Sequence, residues 1–204
     1  MTFLFGKIVL LVVTLTLNNN KTDLVKRVAI LICFAFLTTI SLNAQNRVQW
    51  LSWEEALEKY EQQPKKIFVD VYTNWCGWCK QMDKATFQKD HIAKYINENY
   101  YAIKFNAEQK EDILFNEKSY KFVKQGRRGY HELAAALLRG KLSYPTVVFL
   151  DEDLKVIQPI KGFQNPQNFE LIMTYFAEDF YKNTPWKSYT KNYQSNLAVP
   201  VGGN

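Results

Sequence analysis

The apolar and polar positions after residue 45 change period several times, and each change marks an element. Ser52-Trp53-Glu54-Glu55 has the hydroxyl and carboxylate spacing of a capping box, so a helix is predicted from Trp53 to about Gln62, ending before Pro64. Residues 66–73 carry Ile67, Phe68, Val69, Val71 and Tyr72 almost without interruption, the pattern of a strand covered on both faces. Residues 80–88 return to helical spacing, and Asp90 can cap a further helix to about Asn99. Residues 101–106 and 146–150 read as strands. Asp151-Glu152-Asp153 supplies a turn, and residues 155–161 supply the hairpin partner that Gly162 ends. Asn165-Pro166 starts a last helix reaching about Lys182. Strands joined by helices run parallel and the late hairpin antiparallel, so the expected class is α/β, a mixed central sheet flanked by helices.

Two stretches fall outside this alternation. Residues 108–142 are long for a connection and are expected to hold helices of their own, with 113–123 and 130–139 as the candidates. From Asn183 the chain turns polar around Pro185, Pro200, Gly202 and Gly203. Residues 183–204 are therefore expected to form a loosely held tail, in which Trp186, Tyr189 and Tyr193 could pack back on the domain. This gives three segments: 1–44 for targeting, 45–182 for the domain with its insert at about 108–142, and 183–204 for the tail.

The start of the chain concerns address. Phe3 to Leu17 and Val28 to Leu42 are apolar, and neither reaches the roughly 20 residues of a spanning helix. The second run follows Lys26-Arg27 and precedes Ser41-Leu42-Asn43-Ala44, the parts of a secretory signal with cleavage expected near Ala44. Export to the periplasm or cell envelope is the expectation. Retention of an apolar segment as a membrane anchor is the alternative, and a true start near Val25 would account for the doubled run.

Composition narrows the function. The 204 residues carry a net charge of +6, with 47% hydrophobic and 15% aromatic side chains, enough for one packed core. Without Lys7, Lys21, Lys26, Arg27 and Asp23, 22 basic residues stand against 19 acidic ones. No concentrated basic stripe survives, which argues against nucleic acid as a partner. The local group Lys121, Lys124, Arg127 and Arg128 reads first as a solvated face and second as an attractor of acidic partners.

Cys33 lies in the second apolar run, so a cleaved chain keeps only Cys76 and Cys79. Two cysteines in a C-x-x-C make no framework for a domain this size. They sit where the predicted strand ends and the next helix begins. Free amides and the dipole at a helix start favour a thiolate at Cys76, and Cys79 follows nearly one turn later, placed to resolve a mixed disulfide. Gly77 leaves the approach clear. A zinc site would need two more ligands, and His91 and His131, the only histidines, lack finger-like spacing; no metal is predicted. Asp70 in an apolar strand is costly to bury without purpose, and burial would raise its pKa and suit it to proton transfer. Its bland reading is an exposed strand-end acid. Trp75 and Trp78 read as an apolar rim for targets or as core.

The segment Asp70-Val71-Tyr72-Thr73-Asn74-Trp75-Cys76-Gly77-Trp78-Cys79-Lys80 resembles the active-site segment of the thioredoxin-like family. Lys104 in Ala102-Ile103-Lys104-Phe105-Asn106 resembles the lysine that partners the family's buried acid, Ser143-Tyr144-Pro145-Thr146 its cis-proline segment, and Gly162 its glycine after the last strand. Lys84-Ala85-Thr86-Phe87 and Asn97-Glu98-Asn99-Tyr100 are closer to periplasmic members, including the C-terminal domain of the membrane disulfide-interchange reductase. Over about 115 residues the resemblance implies a thioredoxin fold with a helical insert before the cis-proline strand. It implies a thiol–disulfide oxidoreductase with Cys76, Cys79, Asp70 and Lys104 as catalytic residues. Trp75, Gly77, Trp78, Tyr144 and Pro145 would shape the docking groove. The expected partners are disulfide-bearing proteins and an upstream redox protein, with no cofactor beyond the cysteine pair. Trp78 replaces the proline usual between the cysteines, so reductase, oxidase or isomerase direction stays open, as does a redox-independent binding module.

Overall fold

The computed structural model describes residues 47–195; the predicted signal region and the end of the predicted tail lie outside them. Nine strands and seven α-helices occur among those residues. A central sheet combines β1 (Trp50–Leu51), β2 (Ile67–Tyr72), β3 (Tyr101–Asn106), β8 (Thr146–Leu150) and β9 (Val156–Lys161) in the order β1-β3-β2-β8-β9. β1 and β2 run parallel to β3, while β8 is antiparallel to both β2 and β9. The mixed sheet flanked by helices is the predicted thioredoxin fold. β1 went unpredicted because two residues carry no readable period.

Strand β2 is apolar on both faces because both are covered. Ile67, Val69 and Val71 pack with Trp53 of α1 (Trp53–Gln62) and with Leu133 and Leu137 of α4 (Glu132–Leu137). Phe68 packs on the opposite face with Met82, Phe87, Ile96, Phe169 and Phe176. These come from α2 (Gly77–Met82), the π-helical turn Asp83–Phe87 that continues it, α3 (Asp90–Asn99) and α5 (Pro166–Ala177). Asp90 is the first residue of α3 rather than its cap; Lys89 stands at the cap and makes no side-chain capping bond.

Two helices start as their caps predict. Ser52 Oγ accepts from the Glu55 N–H, and Glu55 Oε2 accepts from the Ser52 N–H at 2.8 Å. Ser52→Ala is expected to lower stability by about 1 kcal/mol, the usual worth of such a cap, measured by urea unfolding. Asn165 accepts from the Asn168 N–H, with Pro166 at the first helical position where its missing N–H costs nothing.

Two expectations are corrected. The candidate helix at 113–123 is instead strand, part of two hairpins: β4 (Ile113–Phe115) with β5 (Lys118–Tyr120), and β6 (Phe122–Gln125) with β7 (Arg128–His131). The cause is local. Asn116 and Glu117 take φ of 49° and 62°, and Gly126 takes 59°, which close two-residue hairpin loops. Buried Ile113 and Phe115 alternate with exposed Leu114, period two rather than helical. The second candidate helix does form, as α4. The tail is also less loose than expected. Asp179 in the left-handed region ends the last predicted helix early, and α6 (Phe180–Asn183) and α7 (Trp186–Asn192) follow. Tyr189 is buried, shares a hydrogen bond with Thr174, and packs in tilted contacts with the rings of Tyr175, Phe180 and Trp186. Aromatic area removed from water outweighs the polar residues between. Among the described residues no helix is long and apolar enough to cross a membrane.

Candidate functional site

Strand β2 delivers the chain to Thr73, whose carbonyl accepts from the Cys76 N–H. Cys76 then caps α2, its Sγ accepting from the Cys79 N–H at 3.0 Å. Cys76 and Cys79 are joined as a disulfide, and both are almost wholly shielded, 5% and 2% exposed. The first N–H groups of the helix therefore point toward the sulfur that would hold negative charge after reduction. Gly77 faces open space.

Two aromatic pairs flank the disulfide. Trp75, half exposed, meets the ring of Tyr144 edge-on at 5.9 Å. Its indole N–H donates to Glu108 Oε2 at 3.0 Å, and the Arg128 guanidinium lies 4.3 Å from its ring centre. Trp78, 65% exposed, leans on Phe163 at 5.7 Å. Each pair ties the cysteine segment to one end of the β8–β9 hairpin. The Tyr144–Pro145 peptide is cis, and the Pro145 carbonyl accepts from the Gly162 N–H. Tyr144 is half-buried, which pushes its phenol up to about 12, with Glu108 adding to the shift.

Asp70 lies on the same face of β2 as Phe68, which packs in one cluster with Met82 of α2. It is buried, and one carboxylate oxygen has no hydrogen-bond partner. The other accepts from Lys104 Nζ at 2.8 Å, directly across the parallel register of β2 and β3. Burial raises the Asp70 pKa to about 6; the Lys104 charge and hydrogen bond oppose it, and the Asp83 charge adds to it. Burial alone would lower Lys104, but Asp70 and Asp83 outweigh it and hold the ammonium above its usual value. Lys104 also binds Asp83 and lies over the rings of Trp50 and Tyr72. Asp83, Lys104, Trp50 and Gln88 line a cleft of about 300 Å³, so this ammonium stands between the buried acid and solvent.

The structure thus brings Asp70 and Lys104 together, joins Cys76 to Cys79, and sets Trp75 against Tyr144 beside Pro145. Trp78 sits apart from Trp75, on Phe163. Asp83, Glu108 and Phe163 escaped the sequence reading, and Arg128, noted there only within a basic group, was not placed against Trp75. Asp83 alone left a signal, four residues beyond Cys79 and hence on the same helical side. The histidines are occupied elsewhere. His131 Nδ1 accepts from the Leu133 N–H as cap of α4, and its Nε2 meets the Glu111 carbonyl; His91 faces Glu170. Among the described residues no three His, Cys, Asp or Glu side chains cluster as a metal site.

Residues 37–173 match the Thioredox_DsbH family, described as a protein of unknown function, DUF255. The chain belongs to that family. An uncharacterized protein, B0495.5 of Caenorhabditis elegans, is 31% identical over 121 residues, 59% of this chain. Spermatogenesis-associated protein 20 of Mus musculus is 33% identical over 72 residues, 35% of this chain. The chain spans only 14% and 9% of those two proteins. Among solved structures, a thioredoxin-fold protein from Helicobacter pylori is similar at 21% identity and a TM-score of 0.49, covering 63% of this chain and 79% of that one. A DsbH oxidoreductase is similar at 20% identity and a TM-score of 0.47, covering 69% of this chain and 91% of that one.

Proposed function

We propose that this member of the family is a thiol–disulfide oxidoreductase that reduces disulfides in proteins of the cell envelope. The observation that carries the reading is the Cys76–Cys79 disulfide at the start of α2, with buried Asp70 in the strand that leads into it. In the dithiol form, the Cys76 thiolate attacks one sulfur of a target disulfide. A mixed disulfide forms, and the other target sulfur leaves as a thiolate that takes a proton from solvent. Asp70, ionised above pH 6, accepts the Cys79 proton; the Cys79 thiolate then attacks the Cys76 sulfur and releases the second target thiol. Two electrons pass to the target, and the protein ends with the disulfide described above. Lys104 holds the Asp70 carboxylate charge. Pro145 and the Tyr144 backbone form the ledge along which a target strand pairs, between the Trp75 and Trp78 walls.

An upstream redox protein must return the electrons. The signal-like residues 26–44 support export, and either their cleavage near Ala44 or their retention as an anchor keeps the site outside the cytoplasm. The resemblance of 84–87 and 97–100 to the membrane disulfide-interchange reductase supports the reducing direction; Trp78, in place of the proline usual between the cysteines, leaves that direction to be measured. The equilibrium reduction potential decides, measured by glutathione and dithiothreitol titration with Cys76→Ser as control. A value near that of thioredoxin, about −270 mV, is expected; about −120 mV would assign an oxidase. Absence of any reversible dithiol couple would leave only a binding module.

A further inference from the structure

The β6–β7 hairpin is a rooted arm with a charged end. At its base the His131 N–H donates to the Ala107 carbonyl, the Glu132 N–H to the Lys121 carbonyl, and the Lys121 N–H to Glu132 Oε2. Along its length Phe122 crosses Gly129 so closely that a Cβ there would lie 2.2 Å from the ring and 2.4 Å from the Val123 carbonyl. The two strands are therefore packed through the absent side chain. The arm ends in Lys124-Gln125-Gly126-Arg127-Arg128, all exposed. Among the described residues Lys124, Arg127 and Arg128 have no carboxylate partner within ion-pair distance, whereas Lys121 at the base pairs with Asp112.

The end of this arm meets the segment that carries the cysteines. Arg128 stacks on Trp75, the residue before Cys76. A guanidinium held over an indole is anchored without using up its N–H fork, which stays available for two parallel bonds to a carboxylate. Lys80 follows Cys79 and is exposed, and exposed Lys161 pairs with Thr146 next to Pro145. Glu108 is the acid of this rim, and the Trp75 indole N–H engages it. The excess of positive charge is thus placed where a docked chain would lie.

We propose that the β6–β7 hairpin is a substrate-recognition arm that selects protein targets bearing acidic side chains beside their reactive disulfide. The inference rests on the exchange reading above and adds the substrate class. A carboxylate next to the target cysteine meets Arg128 in the geometry that aligns the sulfur with Cys76, and Arg127 at the loop steers the approach.

The test uses the full chain and two peptides of one length, each closed by an internal disulfide, with Glu or with Lys flanking the cysteines. Reduction of the Glu peptide is expected to be about tenfold faster at low salt, an advantage that shrinks as salt rises. Arg127→Glu with Arg128→Glu should erase or invert the ratio, and Arg127→Glu alone, which leaves the Trp75 stack intact, should reduce it. The ratio is read within one protein, so a general loss of activity does not imitate it. Equal rates for the two peptides in wild type, or a ratio that survives the double variant, overturn the proposal. If wild type reduces neither peptide nor glutathione disulfide, the exchange reading itself has failed, and the arm's role falls with it.

Discussion

Cys76→Ser should abolish disulfide reduction, while Cys79→Ser should accumulate a covalent complex with the target. The two variants separate because the sulfurs differ in position. Cys76 caps α2 and receives the Cys79 N–H, so the helix start stabilises its anion. Cys79 is buried nearly one turn further on and is bonded to the sulfur of Cys76. Serine is nearly isosteric with cysteine, and its hydroxyl is far too weak an acid to supply the attacking anion at neutral pH. Turnover should therefore fall to the uncatalysed background in both variants. Non-reducing electrophoresis with a disulfide-bearing protein would show the trapped species only for Cys79→Ser, and dithiothreitol would release it. A trapped complex with Cys76→Ser instead would reverse the two roles.

The parts of the site that could be read along the chain are those whose partners are close in sequence. The capping box at Ser52, the apolar run of β2 and the spacing of Cys76 and Cys79 each involve a few neighbouring residues, and each fixes its own geometry. Asp70 was conspicuous because a carboxylate inside such a run demands a reason. Glu108 and Phe163 were not legible, and Arg128 was legible as a charge but not as a neighbour of Trp75. Each reaches the cysteine segment from 33 or more positions away through a turn or hairpin whose place on the domain depends on the whole sheet. The insert misled for a related reason. Ile113, Leu114 and Phe115 are compatible with helix or strand, and what decides is whether Asn116 and Glu117 accept positive φ. The tail misled because a few rings among polar residues hide a packing face. Tyr189 is buried although both its neighbours are polar.

Asp70→Asn should stabilise the protein above pH 6 and slow exchange in the same range. The sign follows from linkage. The folded-state pKa is about 6, above the ordinary aspartate value of 3.8, so the native state holds its proton more tightly than the unfolded chain. Whatever Asp70 contributes is intact below pH 4 and is lost as pH rises through 6, where a charge must exist in a buried site with one oxygen unpartnered. Removing that charge should gain on the order of 2 kcal/mol at pH 8 and nothing near pH 3, after allowance for the partner that Lys104 loses. Urea unfolding at the two pH values measures it, and equal gains at both would show that the effect is packing. The kinetic cost runs opposite, because Cys79 then has no base: the resolving step should slow about 100-fold, the low end for general-base assistance. Lys104 and Asp83 sharpen the test. Lys104 is shared between two acids, so Asp83→Asn leaves its charge to Asp70 alone and should move the inflection of the wild-type pH–rate profile below 6. Lys104→Met removes the opposing charge and should move it above 6. Shifts in opposite directions from residues that touch neither cysteine would assign the inflection to Asp70, whereas an inflection fixed in both variants would give the proton of Cys79 to another base.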